Sequence, residues 1–242
     1  MIAILSDFGS SEFLGVMKGV VLKANPEARI VDLCNTIRPQ GVREAAWVLL
    51  QAYSYFPKGT VFLCVVDPGV GSGRKAVAVK TSNYYFVGPD NGLMHPAIKE
   101  DGFRQAVELD TSKASKTFHG RDVFAGAAAV LEKRDVIESV GVKPVNSLER
   151  LEFFLSREMG EIVRIDSFGN VVTNIAHSGK EAYEVRKRGF REKLKFCPTY
   201  AEAEDDGLFL IEGSSDTLEI SMKGASAAEK LKATIGERIS IQ

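Results

Sequence analysis

Hydrophobic and polar positions change rhythm once along this chain. Over roughly the first 135 residues, short apolar runs alternate with longer segments whose apolar residues recur three and four apart. "IAIL" (2–5) reads as a buried strand, and "FLGVMKGVVLKA" (13–24) as a helix with Phe13, Val16, Met17, Val20 and Val21 on one side. "RIVDL" (29–33) reads as a second strand, and "VREAAWVLLQAYSYF" (42–56) as a second helix ended by Pro57 and Gly59. "TVFLCVV" (60–66) is almost uninterrupted and rich in β-branched residues, which suits a central strand covered on both faces. "KAVAVK" and "YYFVG", separated by "TSN", read as a hairpin-like pair, and "GRDVFAGAAAVLEKR" (120–134) as a helix. Strands interleaved with helices predict an α/β domain with a largely parallel sheet.

From about residue 160 the rhythm is that of short strands: "EIVRID", "VVTNIA", "KLKF", "GLFLIE", "TLEIS" and "RISIQ", with "SAAEKLK" (226–232) the one late helix. That pattern predicts a smaller, mostly β domain, a barrel or a sandwich. "KPVNSLERL" (143–151) is the expected linker, which divides the chain into an α/β domain over 1–150 and a β domain over 151–242. No internal repeat or low-complexity tract interrupts either half.

Composition narrows the function classes. Hydrophobic residues make up 45% of the 242, enough for a sizeable core. Lysine plus arginine (31) and aspartate plus glutamate (32) nearly balance, without the basic excess of a nucleic-acid or membrane-surface binder. Cys34, Cys64 and Cys197 lack CxxC spacing, and an odd, scattered set fits buried thiols in a reducing cytoplasm better than a disulfide framework or a zinc site. Met1 runs straight into "IAIL", so no signal peptide is expected, and no apolar run reaches membrane-spanning length.

In an open α/β sheet, ligands bind beyond the carboxyl ends of the strands. Three polar stretches fall at such ends: "SDFGSSE", "CNTIRPQG" and "DPGVGSGR". Asp7 can accept both hydroxyls of a ribose, and the same residue also suits an N-cap or turn. The turn from Gly69 to Arg74 is glycine-rich, but Arg74 stands where GxGxxG needs its third glycine, and no GxxxxGK[ST] exists. His119 precedes a helix in "TFHGRDVF", placed to face a ligand or simply to pack. No second histidine or cysteine lies at zinc-ligand spacing, and GxSxG is absent. "IDSFGNVVTNI" (165–175) holds Asp166, Phe168 and Asn170, which could stack on a base and read its edge, or form a β-turn with "FGN" at its tip. "EGSSDTLEISMKGASAAEKL" (212–231) offers Ser214, Ser215 and exposed backbone near Lys223 and Gly224.

Taken together and in order, "LSDFG", "GVMKG", "VVDPGVGSGR", "VGPDNGL", "FHGRDVFA", "IDSFGNVVTNI" and "GSSDTLEIS" resemble the S-adenosylmethionine hydroxide adenosyltransferases, which cleave S-adenosylmethionine to adenosine and methionine and share a fold with the bacterial fluorinase and chlorinase. The resemblance runs from residue 5 to about 230. It implies a triad of Asp67, Arg74 and His119 that handles the attacking water. It also implies Asp7 on the ribose diol, Asp166 on the methionine ammonium, Phe168 and Asn170 on adenine, Ser214 among the substrate ligands, and backbone from Met222 to Gly224 at the adenine edge. S-adenosylmethionine is then a substrate, with no cofactor and no metal. Family members are trimers with sites between the first domain of one subunit and the second of its neighbour. The resemblance therefore implies a homotrimer, while the cysteine pattern points to the cytoplasm and the charge balance to no nucleic-acid or membrane partner.

Several departures separate the chain from the halogenating relatives. Those carry tyrosine and serine where this chain has His119 and Gly120, a different residue at Asp67, and, in the fluorinase, an insertion that is missing here. The fluorinase also has an arginine at Ser215 and a tryptophan at Gln40. Hydrolysis is the leading reading. A halide adenosyltransferase of chlorinase type and a non-catalytic S-adenosylmethionine or adenosine sensor are the alternatives. A methyltransferase would need a glycine-rich turn after the first strand, which is absent.

Overall fold

The computed structural model describes residues 1–157 and 159–242, which form two compact units, Met1–Glu152 and Phe153–Gln242. The first is a seven-stranded sheet in the order β2-β1-β3-β5-β4-β6-β7, built from β1 (Ile2–Ser6), β2 (Ile30–Cys34), β3 (Val61–Val65), β4 (Ala76–Thr81), β5 (Tyr85–Pro89), β6 (Phe103–Leu109) and β7 (Gly141–Pro144). Neighbours are parallel from β2 through β5, and antiparallel from there to β7.

Strand β3 shows why an unbroken apolar run becomes a central strand. Side chains alternate between faces, so Val61, Leu63 and Val65 join the core under one layer of helices while Phe62, Cys64 and Val66 join the core under the other. The first layer is α1 (Glu12–Ala24) and α4 (Ala125–Arg134); the second is α2 (Val42–Ala52) and α3 (His95–Asp101). Every β3 side chain is essentially dry, at ~1.5–3 kcal/mol of burial for each large one. The chain leaves β1 toward β2 but leaves β3 in the opposite direction, toward β4. That reversal opens a crevice at the carboxyl ends of β1 and β3.

The second unit is an antiparallel sheet in the order β11-β10-β14-β8-β9-β13-β12, from β8 (Met159–Ile165), β9 (Val171–Thr173), β10 (Ala182–Lys187), β11 (Phe190–Lys195), β12 (Leu208–Glu212), β13 (Leu218–Met222) and β14 (Arg238–Ile241). Its two edges meet where the Cys197 N–H donates to the Leu210 carbonyl at 2.8 Å, nearly closing a barrel. The short helix α5 (Ala227–Leu231) caps its core, and Ser226 accepts the Glu229 N–H as N-cap.

Several sequence expectations are corrected. The second helix is α-helical only to Ala52 and tightens to a 3₁₀ turn over Tyr53–Tyr55. On α1 only Met17 and Val21 are buried, while Phe13 and Val16 are 44% and 41% exposed. The segment 143–151 is no free linker. Its start is the end of β7, Val145 is buried and bonded to the Ala106 carbonyl, and the Leu151 carbonyl lies 2.9 Å from His95 Nδ1. Strands β6, β7 and β10 and helix α3 carried no recognised pattern, because short half-exposed segments such as "AYEVRK" and "GVKP" have too little periodicity. Cys64 and Cys197 are buried free thiols as expected, but Cys34 is half-exposed. Burial pushes the Cys64 thiol up.

Candidate active site

Asp67 leaves the end of β3 and opens a turn, with the Val70 N–H on the Asp67 carbonyl at 3.2 Å and the Ser72 N–H on the Gly69 carbonyl at 3.1 Å. The turn brings Arg74 back onto Asp67. Arg74 Nε donates to Asp67 Oδ1 at 2.9 Å, and Nη2 donates to Oδ2, a bidentate pair with both side chains about nine-tenths buried. Nη2 also lies 2.9 Å from His119 Nδ1. Guanidinium nitrogens only donate, so Nδ1 accepts and the ring proton sits on Nε2. Burial first, and then the Arg74 charge, push the His119 pKa below its ordinary 6.5, so the imidazole is neutral at pH 7. Arg74 Nη1 is buried with no partner among the described residues, and the guanidinium carbon sits 5.4 Å from the Phe124 ring centroid.

Gly71 explains why this turn needs glycine. Its φ of +73° is a left-handed conformation, and a Cβ there would collide with the Lys116 carbonyl. The turn is thereby packed against the segment that delivers His119. That segment is pinned by Asp122, whose Oδ2 accepts the Ser115 N–H at 2.9 Å and whose carboxyl is held far down by Arg121. His119 stands at the head of a π-helical turn, Gly120–Phe124, in which the Ala125 N–H reaches back to the Gly120 carbonyl. A Cβ at Gly120 would stand 2.8 Å from Met17 Sδ and 3.2 Å from Val65 Cγ1.

Beside this constellation lies a cavity of about 280 Å³, and Asp7, Gln40, Asp67 and His119 all line it. Asp7 Oδ2 accepts the Gln40 N–H at 2.8 Å. One wall is aromatic. Phe8, Phe13 and Phe118 meet with ring centroids 5.1–5.7 Å apart. Phe13 and Phe118 were not recognised as site residues from sequence, because Phe13 falls at core spacing on α1. Its signal is an apolar stripe on α1 wider than one buried face requires.

The second unit gathers part of its expected set. Phe168, Asn170, Met222 and Gly224 line one concavity, together with Tyr200, which sequence reasoning missed and whose hydroxyl accepts from Asn170 Nδ2 at 3.2 Å. Phe168 is 80% exposed, a large open ring surface. Asp166 is spent largely on its own turn: Oδ1 accepts the N–H groups of Phe168 and Asn170 at 2.9 Å each, and Oδ2 accepts Asn170 Nδ2 at 2.8 Å. The "FGN" turn is therefore real, with Gly169 at φ +84° and a Cβ there colliding with Ser226. Ser214 is not brought to this concavity. It is exposed in the turn joining β12 to β13, at the opposite end of β13 from Met222. Among the described residues, no group of three His, Cys, Asp or Glu could hold a metal ion, and no helix is long and apolar enough to cross a membrane.

Comparison with known proteins matches this arrangement over both units. A model of the SAM hydroxide adenosyltransferase N-terminal domain matches residues 2–141, and one of the C-terminal domain matches residues 160–240. The chain is 36% identical to an (R)-S-adenosyl-L-methionine hydrolase of Thermus thermophilus, over 94% of this chain and 93% of that protein. It is 33% identical to one of Methanocaldococcus jannaschii, over 100% and 95%. A fluorinase of Nocardia brasiliensis is more distant, at 28% over 100% and 97%. A crystal structure of an uncharacterized conserved protein from Thermotoga maritima superposes with a TM-score of 0.91 at 34% identity, covering both chains completely. With family models covering most of its length and full-length relatives above 30% identity, the chain belongs to the SAM hydroxide adenosyltransferase family.

Proposed function

We propose that this protein hydrolyses S-adenosylmethionine to adenosine and methionine, and that the (R)-sulfonium form in its relatives' names is the form it takes. The observation that carries this reading is the meeting of Asp67, Arg74 and His119 at the crevice, beside a cavity that Asp7 also lines.

Sulfonium is a good leaving group without protonation, so the task is delivery of water in line with the C5′–S bond. Positioning can supply roughly 7–11 kcal/mol of such a barrier. Water itself, with a pKa of about 15.7, is a poor nucleophile. Arg74 stabilises the developing hydroxide, and Asp67 fixes the guanidinium. The proton goes to His119 Nδ1: Arg74 Nη2 turns its N–H from Nδ1 to the forming hydroxide, which frees the Nδ1 lone pair to accept it. The new O–C5′ bond forms as C5′–S breaks, the electron pair stays on sulfur, and methionine leaves as a neutral thioether.

Asp7 takes the ribose diol. Phe168, Asn170 and the backbone from Met222 to Gly224 take adenine. A carboxylate offers about four lone-pair sites; the turn uses three of those of Asp166, and the methionine ammonium takes the fourth. Ser214, remote from the adenine concavity, serves the methionine end. The enzyme works as a cytoplasmic homotrimer. Incubation with S-adenosylmethionine in ¹⁸O-water tests the reaction: adenosine carrying ¹⁸O at the 5′ position, with methionine, is the expected product. Unchanged substrate, or a 5′-chloro nucleoside when chloride is added, would overturn the reading.

A further inference from the structure

Asp7 stands one residue beyond β1, and an exposed carboxylate there would rotate freely. What fixes it is the backbone N–H of Gln40, 2.8 Å from Oδ2. Gln40 holds that N–H in place at φ +64°, a left-handed conformation that costs a non-glycine residue about 1 kcal/mol or more. Something must hold the turn in that shape. Glu44, in the first turn of α2, is only 4% exposed, yet carries a carboxylate. Its Oε2 accepts the Arg38 N–H at 3.3 Å and Arg38 Nε at 3.2 Å. The turn then closes on itself, with the Gly41 N–H on the Arg38 carbonyl and the Val42 N–H on the Gln40 carbonyl, both at 2.8 Å. A Cβ at Gly41 would stand 2.8 Å from the Arg38 carbonyl oxygen, so the closure depends on glycine. A glutamate at this helix position commonly reaches back to its own N-cap; here it reaches three residues further, to Arg38.

A buried carboxylate is costly unless its bonds repay it, and the bonds of Glu44 go to the one turn that holds Asp7. We infer that Glu44 is a positioning residue for the ribose: through residues 38–41 it sets the orientation of the Asp7 carboxylate and so the affinity for the nucleoside diol. Side-chain identity at Gln40 is secondary, since the contact is made by backbone. The inference rests on the reading of Asp7 as the ribose ligand.

The test is adenosine binding to the full-length protein by calorimetry, which needs no turnover. Glu44→Gln is expected to weaken adenosine about tenfold, and to leave 2′,3′-dideoxyadenosine, which has no diol, within about twofold of wild type. Asp7→Ala is expected to weaken adenosine at least as much, and the Asp7→Ala/Glu44→Gln double variant no further, because one variant acts through the other. Equal weakening of adenosine and the dideoxy compound by Glu44→Gln, or additive losses in the double variant, would overturn the inference. Failure of the hydrolase reading shows separately, as no adenosine formed from S-adenosylmethionine by the wild type.

Discussion

Asp67 and Asp166 each follow an apolar strand and open a turn containing glycine, and in both turns one glycine has a positive φ and a Cβ position already taken by another segment. The two carboxylates nevertheless have different partners. Asp166 accepts from Phe168 and Asn170, residues of its own turn, and so mainly builds the local backbone. Asp67 accepts from the Arg74 side chain, which in turn reaches His119, 45 residues further along. What sets Asp67 apart, and places it in the proposed reactive constellation, is a donor that is a charged side chain rather than the groups of its own turn. The glycine differs in the same sense. Gly169 packs its turn on the Ser226 cap of α5, whereas Gly71 packs its turn on the segment carrying the histidine.

The largest expected effect breaks this contrast directly. Arg74→Met and His119→Ala should each lower kcat by about 10²–10⁴-fold. Arg74→Met should also lower Tm, because it leaves Asp67 buried and unpaired, at about 3–5 kcal/mol. Asp166→Asn should instead raise KM for S-adenosylmethionine about tenfold, the cost of one bond to a charged group, with kcat within about threefold of wild type. Steady-state kinetics and thermal melts on the three variants read both quantities. A loss of kcat in Asp166→Asn as deep as that in Arg74→Met would erase the distinction between the two turns.

How far the site can be read from sequence follows the same line. Asp67, Arg74 and His119 were legible because the strand preceding the turn is so clearly a strand, and because the ordered motifs carry a resemblance. The Asp7–Gln40 bond was not, since it depends on a left-handed φ at a residue that is not glycine. Phe13 was hidden because an apolar residue at helical spacing looks the same whether it faces a core or a cavity. Ser214 and Met222 are close in sequence, but the extended strand β13 separates them to opposite ends. The sheet's antiparallel half was only partly legible, because β6 and β7 alternate too weakly to stand out from the loops around them.

A smaller effect sharpens the role of glycine within a single loop. Gly71→Ala meets both an unfavourable φ and the Lys116 carbonyl, and should cost roughly 1–3 kcal/mol, lowering Tm by several degrees. Gly73→Ala, two residues on, meets nothing within 4 Å and should stay within about 0.5 kcal/mol of wild type. If the two alanines behaved alike in melting experiments, close packing against Lys116 would not be what shapes the turn.

The smallest effect is a pH dependence, and its sign follows from the contact between Arg74 and His119. In the proposed mechanism Nδ1 uses its lone pair first to accept from the guanidinium and then to take the proton from water, which requires a neutral His119. Burial and the Arg74 charge both favour the neutral ring, so its pKa lies below the ordinary 6.5. At pH 6.5 more than half of the enzyme therefore still has a neutral ring, and kcat/KM should fall by less than about twofold between pH 8 and pH 6.5. The acid limb should appear only below that. Asp67 and Asp122 oppose the shift, but burial and the Arg74 charge outweigh them. A pH profile of kcat/KM with its acid midpoint above 6.5 would mean that the imidazole is held as a cation, hence that Arg74 is turned away from it in the working enzyme and the proton goes elsewhere.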